Sequence, residues 1–508
     1  MAPNPDLPFS AAGKYNPWLI AVIVSIATFM EVLDTTIANV ALRHIAGSLA
    51  ASQDESTYII TSYLVSNAII LPISGWLALV IGRKRFYMLC VATFTVSSLL
   101  CATSHSLAEI LFWRVMQGLG GGGLAPVEQS IFADSFPISK RPQAFALYGL
   151  TIVFAPAVGP VLGGWLTDHL SWHWVFLINV PVGLISLVLC GMFVSDSPAL
   201  IADRAKRLGA GFRVDWVGFL GVVVGFGTLQ ILLDRFERND GFSSPFILTL
   251  AVICAVTLCA LVLWEIYHPQ PVMNVRLLRF PSFAASCALM FGVGFTLISA
   301  AQLVPQFAQN LMGYDAANSG LVLGAAGLLT IMLMPVSGIV TGRIIQPRWL
   351  VFAAYLGVAY AMYYASQFSL GVDFWTLSKS RMLHAIWLPF LFIPISSAGL
   401  VQIAPRHNSD AAALTNLMRN LGGSVGVSVA TTMLTWRTTF HQARLSEHVT
   451  VFNSTVQNLP TIGHQVAREA AMMSYNDVYR MFAICALCFV PFALMLPRLP
   501  KGRVAAGH

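Results

Sequence analysis

Two acidic residues, Glu31 and Asp34, lie inside a long apolar segment near the start of the chain, Trp18 to Leu42. About 20 apolar residues are enough for a helix to cross a bilayer, so this segment can span one. An aspartate at the centre of a membrane helix costs roughly 2.5–3.5 kcal/mol, and charges at that depth commonly mark proton, ion or substrate pathways. The pair therefore indicates a protein that moves a solute across a membrane with protons as the driving ion.

On an α-helix, Glu31, Asp34 and Thr35 share one face and Asn39 lies at its edge. We expect this polar stripe to line a water-filled cavity, with Thr35 and Asn39 as candidate substrate contacts. Burial and a neighbouring like charge both favour the protonated form of a carboxyl group, so Asp34 and Glu31 are candidate proton carriers. The alternative is a static acidic pair that holds two helices together.

Arg114, in the segment LFWRVMQGLGGGG, is the basic residue best placed to pair with Asp34. If the two helices run in opposite directions, both side chains lie at a similar depth in the outer half of the membrane. An arginine keeps its proton, so its expected role is to favour ionised Asp34 and to release it when the pairing changes. A purely structural tie is the alternative. Gln117 and Arg419 are further candidate cavity residues, although packing against a glycine-rich stretch would explain Arg419 equally well.

The composition is that of a polytopic membrane protein. Of 508 residues, 56% are hydrophobic and 10% are charged, and the mean hydropathy is +0.72. A soluble protein carries about 25% charged residues. The eight cysteines all fall in predicted membrane segments, where disulfides are not expected. No metal, nucleotide or other cofactor is expected, and nucleic-acid binding is not indicated by the net charge of +7, because its distribution reflects membrane orientation.

Fourteen hydrophobic segments are predicted to span the membrane. Their approximate bounds are 18–42, 57–80, 86–104, 107–131, 144–167, 174–194, 216–233, 245–267, 282–304, 319–341, 350–370, 382–404, 411–436 and 475–497. With the N-terminus in the cytoplasm, most of the 29 Lys and Arg residues fall in cytoplasmic tails and loops, as the positive-inside rule requires. An even number of spans then places both termini in the cytoplasm.

Two short motifs recur at one spacing. PISG at residues 72–75 matches PVSG at 335–338, and GPVLG at 159–163 matches GGSVG at 422–426, each 263 residues later. The matching segments are an even number of spans apart, which predicts a parallel repeat, a known transporter plan.

We therefore expect an all-α membrane protein with two six-helix bundles and two inserted helices. The predicted divisions are an N-terminal bundle at 1–194, a linker with the inserted helices at 195–270, and a C-terminal bundle at 271–508.

Gly75 and Gly82 are the glycines of a tight cytoplasmic turn that ends in Arg83, Lys84 and Arg85. Glycine permits close backbone approach, and the three cations could anchor at anionic headgroups or cap helix ends. The turn lacks the pattern of a phosphate-binding loop. A conformational gate between the bundles is the favoured interpretation.

A second glycine motif lies in the fifth span. Gly159 and Gly163 form a GxxxG face that suits close helix contact, with Gly164 beside it. Pro160 removes a backbone donor and kinks the helix. A pliant contact of this kind suits alternating access, whereas GxxxG alone would indicate only packing.

The motifs described so far fall in four stretches: Leu33–Leu42, Gly75–Arg85, Arg114–Gly118 and Gly159–Gly164. Together they resemble the successive signatures of the major facilitator superfamily, and in particular its fourteen-span drug:proton antiporter group, the EmrB/QacA family. The resemblance covers essentially the whole chain. It implies the fold of that superfamily, export as the direction of transport, and Asp34 and Arg114 as the coupling residues.

Two positions depart from the family pattern. The turn signature usually has an acid four residues after its first glycine, where this chain has Leu79, so a gate latch based on that acid is in doubt. Glu31 is not part of the signature and could reflect a cationic substrate or an altered coupling step.

Residues 437–474 are predicted to form a long outward loop. The loop resembles that of EmrB-type members, which work with a periplasmic adaptor and an outer-membrane channel. The resemblance implies these two partners and a location in the bacterial inner membrane. A loop without a partner is the alternative.

The leading hypothesis is a proton-driven exporter of amphipathic, often cationic, small molecules. The alternatives are a carrier of one specific metabolite with the same fold and a non-transporting sensor or scaffold. The buried acid and arginine argue against the last, because both are costly if unused. No enzymatic chemistry is indicated.

Overall fold

The computed structural model describes residues 15–196, 201–202, 204–205, 214–314, 316–449 and 459–498, and within these ranges the regular structure is helical. Residues 197–200, 203 and 206–213, in the predicted linker at the start of the 195–270 segment, lie outside the described residues. The side chain of Pro160 is also outside them.

The first group of helices contains both acidic residues of the opening segment. Its members are α1 Pro17–Ser48, α2 Gln53–Ser56, α3 Tyr58–Ile81, α4 Arg83–Ala102, α5 Leu107–Gly121, α6 Leu124–Ser135, α7 Arg141–His169, α8 His173–Leu177 and α9 Asn179–Phe193. α1 packs on α7 and α9, while α5 packs on α3 and α4. We call α1 to α9 the N-terminal group.

Two helices follow, α10 Trp216–Arg235 and α11 Pro245–Tyr267, which pack on each other. The C-terminal group then comprises α12 Pro281–Asn310, α13 Ala316–Val340, α14 Pro347–Ala365, α15 Phe374–Gly399, α16 Asn408–Ser446 and α17 Leu459–Ala493. The two groups meet mainly where α7 packs on α13 and α3 packs on α16.

Local sequence explains several helix starts. The side chains of Asn16, Ser106, Asp215 and Asp373 each accept a hydrogen bond from a backbone N–H in the first turn of α1, α5, α10 and α15. Such N-caps satisfy donors that a helix start otherwise leaves free. The glycine run at 120–123 separates α5 from α6. α7 bends by 45° between Arg141–Pro156 and Val161–His169, at the proline-containing stretch.

In the part of the chain that the structure describes, ten helices are long and apolar enough to cross a membrane, or eleven if the bent α7 counts as one span. The chain is thus an all-helical, multi-pass membrane protein. Two boundaries differ from the sequence expectation. α15 begins at Phe374, before the predicted span at 382–404, so Arg381 lies inside a helix. α16 and α17 extend over most of the predicted 437–474 loop, because their polar residues are compatible with helix.

The internal repeat reappears as matching tertiary contacts. Tyr87, on the third long helix of its group, donates to the carbonyl oxygen of Val24 on the first. Tyr355, at the same place in the C-terminal group, donates to the carbonyl oxygen of Leu289 at 2.5 Å. The glycine motifs also match, because Gly159 packs on α1 and Gly422 packs on α12.

Candidate functional site

Asp34 lies at the centre of a buried polar cluster in the N-terminal group, fully enclosed by protein. Its Oδ2 accepts from Arg114 Nη1 at 2.6 Å, and its Oδ1 accepts from Gln117 Nε2 at 3.0 Å and from Asn179 Nδ2 at 2.8 Å. Gln117 Nε2 also donates to Ser98 Oγ at 2.7 Å. The Asp34 carboxylate therefore connects α1 to α5 and α9 directly. It connects to α4 only through Gln117, which bonds to Ser98.

The guanidinium of Arg114 is held from several sides. Its Nε donates to the carbonyl oxygen of Ile59 at 3.1 Å, and its Nη1 donates to Gln117 Oε1 at 2.7 Å. Its central carbon lies 4.6 Å from the centre of the Tyr63 ring and 5.5 Å from that of Phe176. Aromatic faces stabilise a cation in this position. Sequence position predicted the partner of Asp34, but not these supporting groups.

Glu31 belongs to a separate, partly exposed network. Its Oε1 accepts from Tyr63 Oη at 3.0 Å and from Asn67 Nδ2 at 3.3 Å. Tyr63 thus contacts Glu31 with its hydroxyl and Arg114 with its ring. The two acids share a helix face, as predicted, but their hydrogen-bond partners differ.

The other candidate residues of α1 bond to their own helix. Thr35 Oγ1 donates to the carbonyl oxygen of Val32 at 2.8 Å, and Asn39 Nδ2 donates to that of Thr35 at 3.0 Å. Thr35 is half-buried and Asn39 is exposed. Their predicted substrate contacts stay predictions.

Arg419 connects the two groups of helices. Its Nη1 donates to Tyr148 Oη on α7 at 2.7 Å, and that hydroxyl donates to Asn416 Oδ1 at 2.8 Å. The guanidinium carbon is also 6.0 Å from the ring centre of Phe392. Arg419 is close enough to interact electrostatically with Glu31. It therefore has a definite polar environment in addition to its backbone contact with Gly294.

Glu128 lies near the end of the predicted span 107–131, where a solvated or interfacial role is expected, and this expectation is wrong. Glu128 is completely buried on α6, and its Oε1 accepts from Ser25 Oγ at 2.5 Å. By hydrogen-bond geometry, its Oε2 has no partner among the described residues. Glu128 follows the break between α5 and α6 and contacts Ser25 on α1; the glycine run marks the break but does not indicate which helix this residue contacts.

The glycine turn between α3 and α4 packs against the start of α16. A Cβ on Gly75 would lie 2.8 Å from Asp410 Cα, so only glycine permits this approach. Gly82 has a φ of +98°, a conformation that other residues rarely adopt. Lys84 Nζ donates to the carbonyl oxygen of Gly191 at 2.7 Å, while Arg85 is exposed.

Arg83 is buried and does not reach a lipid surface, contrary to the headgroup interpretation of the turn. It forms an ion pair with Asp134 on α6, and its Nε donates to Ser409 Oγ on α16 at 2.8 Å. Asn408 Nδ2 donates to Asp134 Oδ1 at 3.1 Å. We call Arg83, Asp134, Asn408 and Ser409 the latch. The acid of the latch is Asp134 on α6. The absence of an acid at position 79, where this chain has Leu79, therefore does not prevent the contact between the two groups of helices.

The glycine motif of α7 makes its close contact within the N-terminal group. A Cβ on Gly159 would lie 2.7 Å from Thr36 Cβ, and one on Gly163 would lie 3.1 Å from Ile37 Cγ2. Gly164 has nothing within 4 Å of that position. The motif thus joins α7 to α1 rather than one group of helices to the other.

The family model of the Major Facilitator Superfamily matches residues 24–427. The chain belongs to the major facilitator superfamily. It is therefore a membrane transporter and not an enzyme. Among the described residues, no cluster of three or more His, Cys, Asp and Glu side chains could hold a metal ion.

Within the superfamily, the chain is similar to multidrug export and resistance proteins. The chain is 33% identical over 480 residues to the multidrug export protein EmrB of Escherichia coli K12, covering 92% of each chain. It is 34% identical over 488 residues to the probable multidrug resistance protein EmrY of the same strain, covering 92% of this chain and 93% of EmrY. The fatty acid resistance protein FarB of Neisseria gonorrhoeae is 31% identical over 505 residues, with 96% and 97% coverage.

Solved structures agree on the fold. The proton:xylose symporter XylE superposes with a TM-score of 0.59 at 16% identity, covering 94% of this chain and 96% of XylE. The human organic anion transporter MFSD10 superposes with a TM-score of 0.60 at 13% identity, covering 93% of this chain and all of that structure. At these identities the likeness shows the fold alone.

Proposed function

We propose that this protein is a proton-coupled antiporter that exports amphipathic, often cationic, small molecules by alternating access. The observation that carries the proposal is the buried Asp34–Arg114 pair, with an N···O distance of 2.6 Å. Breaking a buried pair by neutralising one partner costs about 3–5 kcal/mol, so a proton on Asp34 changes the energy of this arrangement substantially. Similarity to multidrug export proteins supports the direction and the substrate class.

Protonation of Asp34 would drive coupling by changing how the helices of the N-terminal group pack on one another. Ionised Asp34 accepts three hydrogen bonds, from Arg114, Gln117 and Asn179. A protonated carboxyl is a weaker acceptor and must itself find an acceptor, so α1, α5 and α9 lose their preferred spacing. Inverting the ratio of two conformations from 1:99 to 99:1 takes about 5.5 kcal/mol. This is of the same order as the free energy lost when the Asp34–Arg114 pair is broken.

The substrate space is proposed to lie between the two groups of helices, near Glu31 and Arg419. Aromatic side chains supply the apolar walls. Phe29 and Phe154 stack with ring centres 5.9 Å apart, and Tyr148 and Phe392 lie 5.4 Å apart. A largely apolar cavity with a few charged groups suits amphipathic ligands, and a partly exposed carboxylate suits cationic ones.

Fourteen spans are proposed for the membrane arrangement. The α5–α6 pair, α14 and α16 pack among the ten or eleven candidate spans, which raises the total to fourteen. We propose two six-helix bundles, at 1–194 and 271–508, with the linker and the two inserted helices at 195–270. The bias of Lys and Arg supports a cytoplasmic location of both termini. The latch then lies at the cytoplasmic end.

EmrB-type relatives suggest the bacterial inner membrane as the location and a periplasmic adaptor with an outer-membrane channel as partners. The long helical ends of α16 and α17, beyond the predicted spans, are the proposed contact surface for the adaptor. An ion-pair cluster joins the end of α16 to α17, in which Arg437 and His441 both contact Asp477 Oδ2, at 2.5 and 2.8 Å.

Transport by purified protein in liposomes tests the proposal. A cationic dye should accumulate against its gradient when a pH gradient is imposed, and Asp34→Asn should abolish that accumulation. Asp240→Asn, in an exposed left-handed turn that asparagine tolerates, is the control and should transport normally. Full accumulation by Asp34→Asn would refute the coupling role. Movement of one metabolite alone, in a screen of many compounds, would favour the specific carrier.

A further inference from the structure

A buried arginine in the C-terminal group has no counter-charge. Arg381, on α15, is almost completely enclosed, and it forms no ion pair with a carboxylate among the described residues. Its Nη1 lies 3.2 Å from His384 Nδ1, and both side chains line a small cavity together with Ser380, Tyr479 and Val304. Nothing in the proposed coupling mechanism uses this cavity.

Arg381 and His384 occupy the same places in α15 as Arg114 and Gln117 in α5, because each arginine is the eighth residue of its helix. Each arginine lies on the fourth span of its group, and each approaches the residue three positions later through Nη1, at 2.7 Å for Gln117 and 3.2 Å for His384. In the N-terminal group, the first helix supplies Asp34 as the acid. In the C-terminal group, the first helix supplies Val304 to the cavity and no acid. The C-terminal group therefore has this arginine but no carboxylate on its first helix.

The unmatched groups of the cavity are hydrogen-bond donors. Arg381 donates to His384 Nδ1, so the neutral imidazole carries its proton on Nε2. Arg381 Nε and His384 Nε2 both lack an acceptor among the described residues. A guanidinium does not give up its proton, and a buried charge without a partner costs several kcal/mol. An anion in this cavity would accept hydrogen bonds from both N–H donors and neutralise the positive charge.

We propose that Arg381 and His384 form a binding site for a small monovalent anion such as chloride. The cavity lies inside the C-terminal group, among α12, α14, α15 and α17, and not in the space between the groups. It is too small for an amphipathic substrate. The anion replaces the missing carboxylate and neutralises Arg381, which goes beyond the proposed transport function and does not depend on it.

Thermal unfolding of the purified full-length protein in detergent tests the site. Chloride is titrated against gluconate at constant ionic strength, since gluconate is too large for the cavity. Because a ligand stabilises the state that binds it, chloride should raise the unfolding midpoint by about 2–5 °C and then saturate. Bromide should act similarly. Arg381→Gln should lose the saturable response, while Arg343→Gln, which removes an exposed positive charge, should keep it.

Equal midpoints of the wild type in chloride and gluconate would overturn the proposal. An unchanged saturable response in Arg381→Gln would do so as well, because the effect would then arise elsewhere. If Arg381→Gln does not fold, His384→Ala decides, because loss of one donor should raise the chloride concentration at half-maximal effect about tenfold. An unchanged concentration in His384→Ala would count against the site.

Discussion

Removal of Arg83 should loosen the contact between the two groups of helices. In Arg83→Ala, the hydrogen bond of 2.8 Å to Ser409 is lost, and Asp134 loses its cationic partner. Arg85 lies in the same turn but is exposed, so Arg85→Ala removes an equal charge without touching the latch. The pair of variants separates the latch from a general effect of charge.

The magnitude follows from the kind of bond. A buried hydrogen bond to a charged group contributes about 1.5–3 kcal/mol. At 1.36 kcal/mol per factor of ten, loss of the Arg83–Ser409 bond should raise the population with this end open by about 10- to 150-fold. The Asp134–Asn408 bond at 3.1 Å limits the effect, because it also joins the two groups and survives the substitution.

Hydrogen–deuterium exchange of the purified protein measures this opening. Peptides from residues 405–415, at the start of α16, should exchange faster in Arg83→Ala than in the wild type or in Arg85→Ala. Peptides from the buried middle of α1 should be unchanged, which excludes global unfolding. Identical exchange of residues 405–415 in the two variants would show that the latch does not hold the groups together.

Two further substitutions test the packing around the Asp34 cluster. Gly159→Ala should lower the unfolding midpoint, because the added Cβ meets a threonine side chain on α1 and overpacking costs about 1–3 kcal/mol, whereas Gly164→Ala has open space and should be neutral. Equal midpoints would contradict the close contact. Tyr63→Phe should keep the ring under Arg114 and cost only about 1 kcal/mol, yet it should weaken transport of cations, since Glu31 loses its 3.0 Å donor. Kinetic constants for a cationic and a neutral substrate would reveal whether the effect is confined to cations.

Much of the architecture follows from composition and spacing. Long apolar segments must become helices in a membrane, because every backbone donor and acceptor must be satisfied within the segment. The recurrence of residues 72–75 at 335–338 predicted matching helices, and both motifs lie at the same place, α3 and α13. Helix ends were less predictable. The polar residues that suggested a loop at 437–446 continue α16, since polarity alone does not distinguish a loop from a solvated helix.

The site was predicted in part. Asp34 and Arg114 could be paired by estimating their depth, because charges in a membrane helix need a partner. The burial of Glu128 and Arg381 was not predicted, because both lie near the ends of predicted spans. Arg83 was judged by its neighbours in a basic turn, although its partner Ser409 lies 326 positions later.

The sequence by itself determined that this chain crosses a membrane many times and carries a costly acid, Asp34, in its first span. Local hydrophobicity settles both points. Only the tertiary structure showed which donors bind the Asp34 carboxylate and which residues form the latch between the two groups of helices. It also showed that the buried Arg381 has no carboxylate partner among the described residues. These depend on contacts between distant helices, and a one-residue rotation of a helix changes which side chains meet.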